Sequence, residues 1–215
     1  MPVLQEQYLS IRKDLSKRKI SLVAVSKKKP VSEIQELYEL GQRDFGENYV
    51  QELIDKAGVL PDDIRWHFIG HLQTNKVKQI LPVVQLIQSV DSLRLAEEIQ
   101  KQAKKINRQV DILLQVHIAE EETKFGLDEK ELGQLVESLP GLDQLRYRGL
   151  MGMASFTSDK EQVRKEFRYL HSLYEKYGPG KDGILSMGMS SDYEMAIGEG
   201  ANLVRIGSLI FGDRN

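Results

Sequence analysis

The chain has no cysteine among its 215 residues. Disulfides, thiolate metal sites and a cysteine nucleophile are therefore excluded. No apolar run is long enough to span a bilayer, and residues 1–19 are charged and helix-periodic, unlike a signal sequence. These absences lead to the expectation of a cytoplasmic protein with no membrane partner. There is no charge excess either: 30 Lys+Arg against 32 Asp+Glu leave a net charge of −2, with no electrostatic push toward nucleic acid. Pro/Gly/Ser-rich linkers and low-complexity tracts are missing, so 1–215 reads as a single domain, long enough to bury a sizeable core. The Gly-x-Gly-x-x-Gly fingerprint of an open dinucleotide-binding sheet does not follow the first strand.

What is present is a regular alternation of strand and helix patterns. Strands are expected at 20–26, 43–46, 65–69, 83–89, 110–118, 145–151, 183–187 and 203–206. Helices are expected at 31–41, 47–57, 75–81, from the Asp91 cap to 107, at 128–138, 159–177 and 193–200, with a further one near 3–18 ahead of the first strand. Crossover helices between strands imply a parallel sheet. Eight such units predict an α/β fold, a (β/α)8 TIM barrel with an extra N-terminal helix. Every strand's C-terminal end would then face one mouth.

Three features converge on that mouth. Lys27 ends the run Ile20-Ser21-Leu22-Val23-Ala24-Val25-Ser26-Lys27. Desolvation at such a position lowers an amine's pKa and frees its lone pair for attack on a carbonyl. The competing reading makes Lys27-Lys28-Lys29 a solvated charge run. After the seventh strand, Gly188-Met189-Ser190-Ser191-Asp192 opens a helix, and after the eighth comes Gly207-Ser208. Together they offer N–H groups and hydroxyls suited to a phosphate, where (β/α)8 barrels often bind one. The plainer reading makes Ser190 or Ser191 an N-cap and Gly207 a turn glycine. Arg205 lies inside the eighth strand, where a charge needs a partner: a ligand, or an internal carboxylate.

A Schiff-base lysine, a phosphate cup and an arginine between them describe pyridoxal 5′-phosphate. Arg205 would face the pyridine nitrogen, donating a hydrogen bond without yielding a proton, which weakens the ring as an electron sink. Metal binding is not expected: His67 and His71 straddle a Gly70 turn with no third ligand nearby. Trp66 and Phe68 share one strand face and read as core, and Met151 as core or pocket wall.

The chain resembles the pyridoxal phosphate homeostasis proteins, barrels related to the N-terminal half of alanine racemase. The resemblance rests on Val23-Ala24-Val25-Ser26-Lys27, Phe45-Gly46-Glu47-Asn48-Tyr49-Val50-Gln51-Glu52 and Trp66-His67-Phe68-Ile69-Gly70-His71-Leu72-Gln73-Thr74-Asn75-Lys76. It continues in Arg148-Gly149-Leu150-Met151, Leu185-Ser186-Met187-Gly188-Met189-Ser190 and Val204-Arg205-Ile206-Gly207. The resemblance implies that Lys27 is the Schiff-base lysine and Arg205 the partner of the pyridine nitrogen. It implies phosphate contacts at Ser190, Gly207 and Ser208, with Ser191 as a further candidate, and a pocket asparagine at Asn48. Ser208 stands where many members carry threonine, which keeps the hydroxyl.

The resemblance also implies the function. The protein would hold the cofactor on Lys27 and buffer or deliver it within vitamin B6 and amino-acid metabolism. It would have no catalytic residue of its own, with pyridoxal-phosphate-dependent apoenzymes as recipients. The alternative is an amino-acid racemase, which needs an acid/base group on each face of the substrate carbanion. In alanine racemase the second base comes from another domain and the partner subunit. That domain would be missing from a chain ending soon after strand eight, and a monomer is expected. Tyr49 is the one substitute base considered.

Overall fold

A strand that is covered on both faces needs apolar or small side chains in both directions, and the eight runs supply them. In the computed structural model, which describes residues 3–120 and 125–212, they form a closed barrel in the order β1 to β8. The strands are β1 (Ser21–Val25), β2 (Asp44–Glu47), β3 (Arg65–Phe68), β4 (Val84–Val90), β5 (Val110–Val116), β6 (Leu145–Gly152), β7 (Ile184–Ser186) and β8 (Leu203–Ile206). All neighbours pair in parallel. Closure comes from β1 on β8, with Ser21 opposite Leu203, Val23 opposite Arg205 and Ala24 opposite Ile206.

The larger core lies between barrel and helices and includes Phe45, Trp66, Phe68, Leu114, Leu150 and Phe167. Burying one such side chain is worth roughly 1.5–3 kcal/mol. A smaller cluster, Leu86, Leu113 and Met151, is separate from it. Around the barrel run α1 (Gln5–Lys17), α2 (Val31–Glu39), α3 (Val50–Ala57), α4 (Val77–Ile80), α5 (Leu93–Lys105), α6 (Glu129–Ser138), α7 (Lys160–Tyr177), α8 (Tyr193–Gly198) and α9 (Ser208–Phe211).

The extra N-terminal helix fills a vacancy in the outer ring. The helix after β8 is only the single turn α9, with Ile210 and Phe211 buried. The first helix takes the slot between α8 and α2. Gln5 Nε2 donates to Glu36 of α2 at 2.5 Å, Arg18 pairs with Glu194 of α8 at 2.8 Å, and the Leu4 N–H donates to Ile210 O at 2.8 Å.

Other differences are local. The expected 75–81 helix is a 3-10 turn (Thr74–Lys76) running into α4. The cap of α5 is Ser92, whose hydroxyl accepts the Leu95 N–H at 3.3 Å, because Asp91 is engaged with His71 Nδ1 at 3.0 Å. The α3 helix starts at Val50, so Glu47 belongs to the strand before it. Among the described residues no helix is long and apolar enough to cross a membrane.

Helix α6 carries a full capping box. Asp128 Oδ1 accepts the Glu131 N–H at 2.7 Å, and Glu131 Oε2 accepts the Asp128 N–H at 3.0 Å. Asp128→Ala is expected to lower unfolding stability by about 1 kcal/mol in urea titrations. An unchanged midpoint would show that the box contributes nothing net.

Candidate functional site at the barrel mouth

Lys27 sits at the second position of a tight turn. The chain leaves β1 at Val25, and the Lys29 N–H closes on Ser26 O at 3.0 Å. Lys28 has φ +59°, a conformation that costs a side-chain-bearing residue about 1 kcal/mol or more. Something must hold it, and a buried ion cluster does. The Lys28 N–H donates to Glu52 Oε2 at 2.8 Å, and the Ser26 hydroxyl donates to Glu47 Oε1 at 2.6 Å. Both carboxylates converge on the buried Lys56 Nζ, at 2.9 and 2.7 Å, and that ammonium also donates to Ser26 O at 2.9 Å. The residues on either side of Lys27 are thus clamped from β2 and α3.

Glu47 is 0 % exposed. Burial pushes its carboxyl up, to about 7, against the Lys56 ammonium and the Ser26 hydroxyl that pull it down. The other lysines of the run differ in exposure. Lys28 is exposed, whereas Lys29 Nζ donates to Phe211 O at 2.8 Å and lies 3.7 Å from Glu33, tying the turn to α9.

Ser190, Ser191, Gly207 and Ser208 come together with Lys27 and Arg205 around one cavity of about 500 Å³, walled also by Val25, Met189 and Phe156. The two loops of the cup are cross-linked: the Gly207 N–H donates to Ser190 Oγ at 3.2 Å, and the Arg205 N–H to Gly188 O at 3.0 Å. Gly188 has φ +93°, and a Cβ there would lie 2.6 Å from that of Ala196, so the bend needs glycine. Neither serine caps α8 through its side chain, since its N-cap residue is Asp192. Asp192 Oδ1 instead accepts the Met189 N–H at 2.6 Å.

Arg205 is 3 % exposed, and among the described residues it forms no salt bridge. Its partners are neutral: Nη1 donates to Ser186 Oγ at 2.5 Å and Nη2 to Gly152 O at 2.9 Å. Burial lowers its pKa to about 10, with the Asp192 carboxylate acting the other way, so it stays charged at neutral pH. The internal ion pair weighed from the sequence is absent among the described residues.

Asn48 does not line this cavity. It lies beside it in the chain of the clamp, just after Glu47, with Oδ1 buried and without a hydrogen-bond partner. Its backbone packs against Gly70, where a Cβ would lie 2.2 Å from Asn48 O. Among the described residues no group of three or more metal-ligating side chains gathers, His67 and His71 included.

Sequence reasoning missed several groups. Phe156, 90 % exposed on the cavity wall, is posed by its neighbour Ser155, whose N–H and hydroxyl donate to the buried Glu166 at 2.7 and 2.6 Å. Ser186 and Gln88 are polar residues within apolar strands, a signal that buried polar chemistry was at work there. Lys56 carried only the i,i+4 signal of Glu52 on its own helix, and its buried partner Glu47 is nine residues away on another element.

The family described as "Alanine racemase, N-terminal domain" matches residues 3–215. An alanine racemase of Clostridium difficile 630 shares the fold at a TM-score of 0.76 with 14% identity over 97% of this chain and 58% of that one. The barrel and its mouth therefore define a protein of the alanine racemase N-terminal class. Pyridoxal phosphate homeostasis proteins of Aquifex aeolicus (strain VF5) and Homo sapiens are 44% and 40% identical to it, over 90% and 94% of this chain and 86% and 80% of theirs. PipY of Synechococcus elongatus PCC7942 has been solved without PLP (TM-score 0.89, 37% identity) and with PLP bound (TM-score 0.86, 36% identity), each covering 96% of this chain and 99% of PipY. The chain belongs to the pyridoxal phosphate homeostasis protein family.

The clamp gives a pH-dependent expectation. A carboxyl with a raised folded-state pKa keeps its proton in the folded chain after the unfolded chain has lost it. Stability contributed this way falls as pH climbs from about 4.5 to about 7. Lys56→Met, which leaves Glu47 buried without its cation, should cost roughly 3 kcal/mol at pH 8. At pH 5 the loss should be clearly smaller, because Glu47 is then protonated. Urea unfolding at both pH values measures this, and equal losses would mean that Glu47 does not titrate in this window.

Proposed function

We propose that this chain binds pyridoxal 5′-phosphate in the mouth cavity, holds it as a Schiff base on Lys27, and buffers or delivers it without catalysing turnover. One observation carries the reading: Lys27, the Ser190–Gly207 cup and a buried guanidinium hydrogen-bonded to neutral groups share a single cavity. The residues present fit that group. The guanidinium has donors to spare toward a ring nitrogen, and the cup offers hydroxyls. When bound, the cofactor supplies an aldehyde and an electron-accepting ring.

Lys27 would hold the cofactor through Nζ, to which the aldehyde would offer an electrophilic carbon. Ser190 and Ser208 give the phosphate hydrogen bonds, with Ser191 and the backbone around Gly207 beside them. Arg205 donates to the pyridine nitrogen and keeps it unprotonated, because a guanidinium does not yield its proton.

A carrier role is favoured over racemisation by three points. The relatives named above are homeostasis proteins. Arg205 blunts the ring as an electron sink. Tyr49, the substitute second base, does not line the cavity. Pyridoxal-phosphate-dependent apoenzymes are the recipients in this reading. Proton–deuterium exchange at the α-carbon of amino acids in heavy water discriminates the two functions. Multiple turnovers lost in Lys27→Ala would establish the racemase instead.

Lys27→Ala is expected to abolish the visible absorbance band of the loaded protein while leaving its far-ultraviolet circular dichroism unchanged. A borohydride-reducible band that survives would move the link to another lysine. Ser190→Ala combined with Ser208→Ala should weaken binding of the phosphorylated cofactor by about 100-fold or more, as two charge-assisted hydrogen bonds would. Unphosphorylated pyridoxal should change far less, and equal losses for the two ligands would make these serines loop-shaping residues only.

A further inference from the structure

Arg205 is the first member of a hydrogen-bonded chain that crosses the barrel interior. The Ser186 hydroxyl, which accepts from Arg205 Nη1 at 2.5 Å, donates to Gln88 Oε1 at 2.6 Å. Gln88 Nε2 lies 2.9 Å from His67 Nδ1, and His67 Nε2 lies 3.2 Å from Asp44 Oδ1. Asp44 ends the chain, held by Arg65 through Nε at 2.7 Å and Nη2 at 2.6 Å. Five strands contribute, β8, β7, β4, β3 and β2, and Ser186, Gln88 and His67 are all buried.

The chain has one donor direction. Against the burial that raises it, Arg65 and His67 hold the Asp44 carboxyl down at about 2, so Asp44 only accepts. His67 Nε2 must therefore carry the proton it shares with Asp44. In the neutral ring Nδ1 is then an acceptor, and the Gln88 amide nitrogen faces it. That turns the Gln88 carbonyl to Ser186, whose proton points at it and whose lone pair takes the guanidinium. Every link donates away from Arg205. Its charge, which has no salt-bridge partner among the described residues, is thus connected to a carboxylate through three neutral groups.

We propose that Ser186, Gln88 and His67 are positioning residues that hold the Arg205 guanidinium in one orientation and set the strength of the hydrogen bond it gives the pyridine nitrogen. This rests on the cofactor reading above. It assigns roles to residues outside the cavity wall, since none of the three lines it. A carboxylate placed nearer than Asp44 would weaken Arg205 as a donor and make the ring nitrogen more basic. Breaking the chain would let the guanidinium swing away.

The test uses the full chain loaded with pyridoxal 5′-phosphate labelled with ¹⁵N in the ring, in the wild type, Gln88→Glu, Gln88→Met and Ser186→Ala. The visible band reports that Lys27 still holds the cofactor. The ring-nitrogen resonance should move toward its protonated value in Gln88→Glu and toward that of a free, unbonded pyridine in Gln88→Met. Cofactor retention should fall about tenfold in Gln88→Met, the equivalent of one lost hydrogen bond. Ser186→Ala removes one hydroxyl only and should shift the resonance in the same sense as Gln88→Met, which covers the case of a Gln88 variant that does not fold.

Variants that retain the band and the wild-type resonance would overturn the proposal and leave the chain as core filling. A wild type that takes up no cofactor would overturn the cofactor reading instead. Exchange of the Arg205 guanidinium protons in the unloaded protein then still decides the chain. It should be slow in the wild type and about tenfold faster in Ser186→Ala, and equal rates would refute the positioning role.

Discussion

The register between β1 and β8 is the constraint on which the rest of this molecule depends. Val23 is paired with Arg205 and Ala24 with Ile206, across some 180 residues of chain. Only that pairing closes the barrel. It also sets Lys27, one turn beyond β1, against the loops that follow β7 and β8. A slip of one residue would turn Arg205 from the interior toward the helix layer, because side chains alternate faces along a strand. Helix α1 reinforces the seam from outside, bridging α2 and α8 where α9 is too short to do so.

Buried charge is used in two different ways around this seam. Behind Lys27 the charges are paired: Glu47, Lys56 and Glu52 neutralise one another and hold the neighbours of Lys27 by their backbone and hydroxyl groups. Such clusters contribute little net stability, since desolvation offsets the attraction, but they fix geometry. Under the cavity the opposite holds. The Arg205 guanidinium is charged, buried and surrounded by neutral acceptors. That arrangement carries a desolvation cost that no salt bridge among the described residues offsets.

The sequence by itself determined the fold class and six of the groups that meet at the mouth. Eight buried runs with helices between them admit few topologies, and the ends of parallel strands in a barrel share one face. Lys27, Ser190, Ser191, Arg205, Gly207 and Ser208 were legible because each follows or lies in a recognisable strand. Period-2 and period-3.6 patterning is local information, carried by neighbouring residues. It also shows where it stops: Glu47 was read as following β2, whereas it is the last strand residue and packs under α3.

Only the tertiary structure decided which partner each buried polar group has. The Glu47–Lys56 pair, the bond from the Gly207 N–H to Ser190, the neutral partners of Arg205 and the chain through Ser186, Gln88 and His67 all join residues from different elements. Ser186 and Gln88 are 98 positions apart, and no pattern within either strand announces the other. Hydrogen bonds of about 3 Å require a placement that strand register and barrel closure set jointly. That is a property of the whole packed chain.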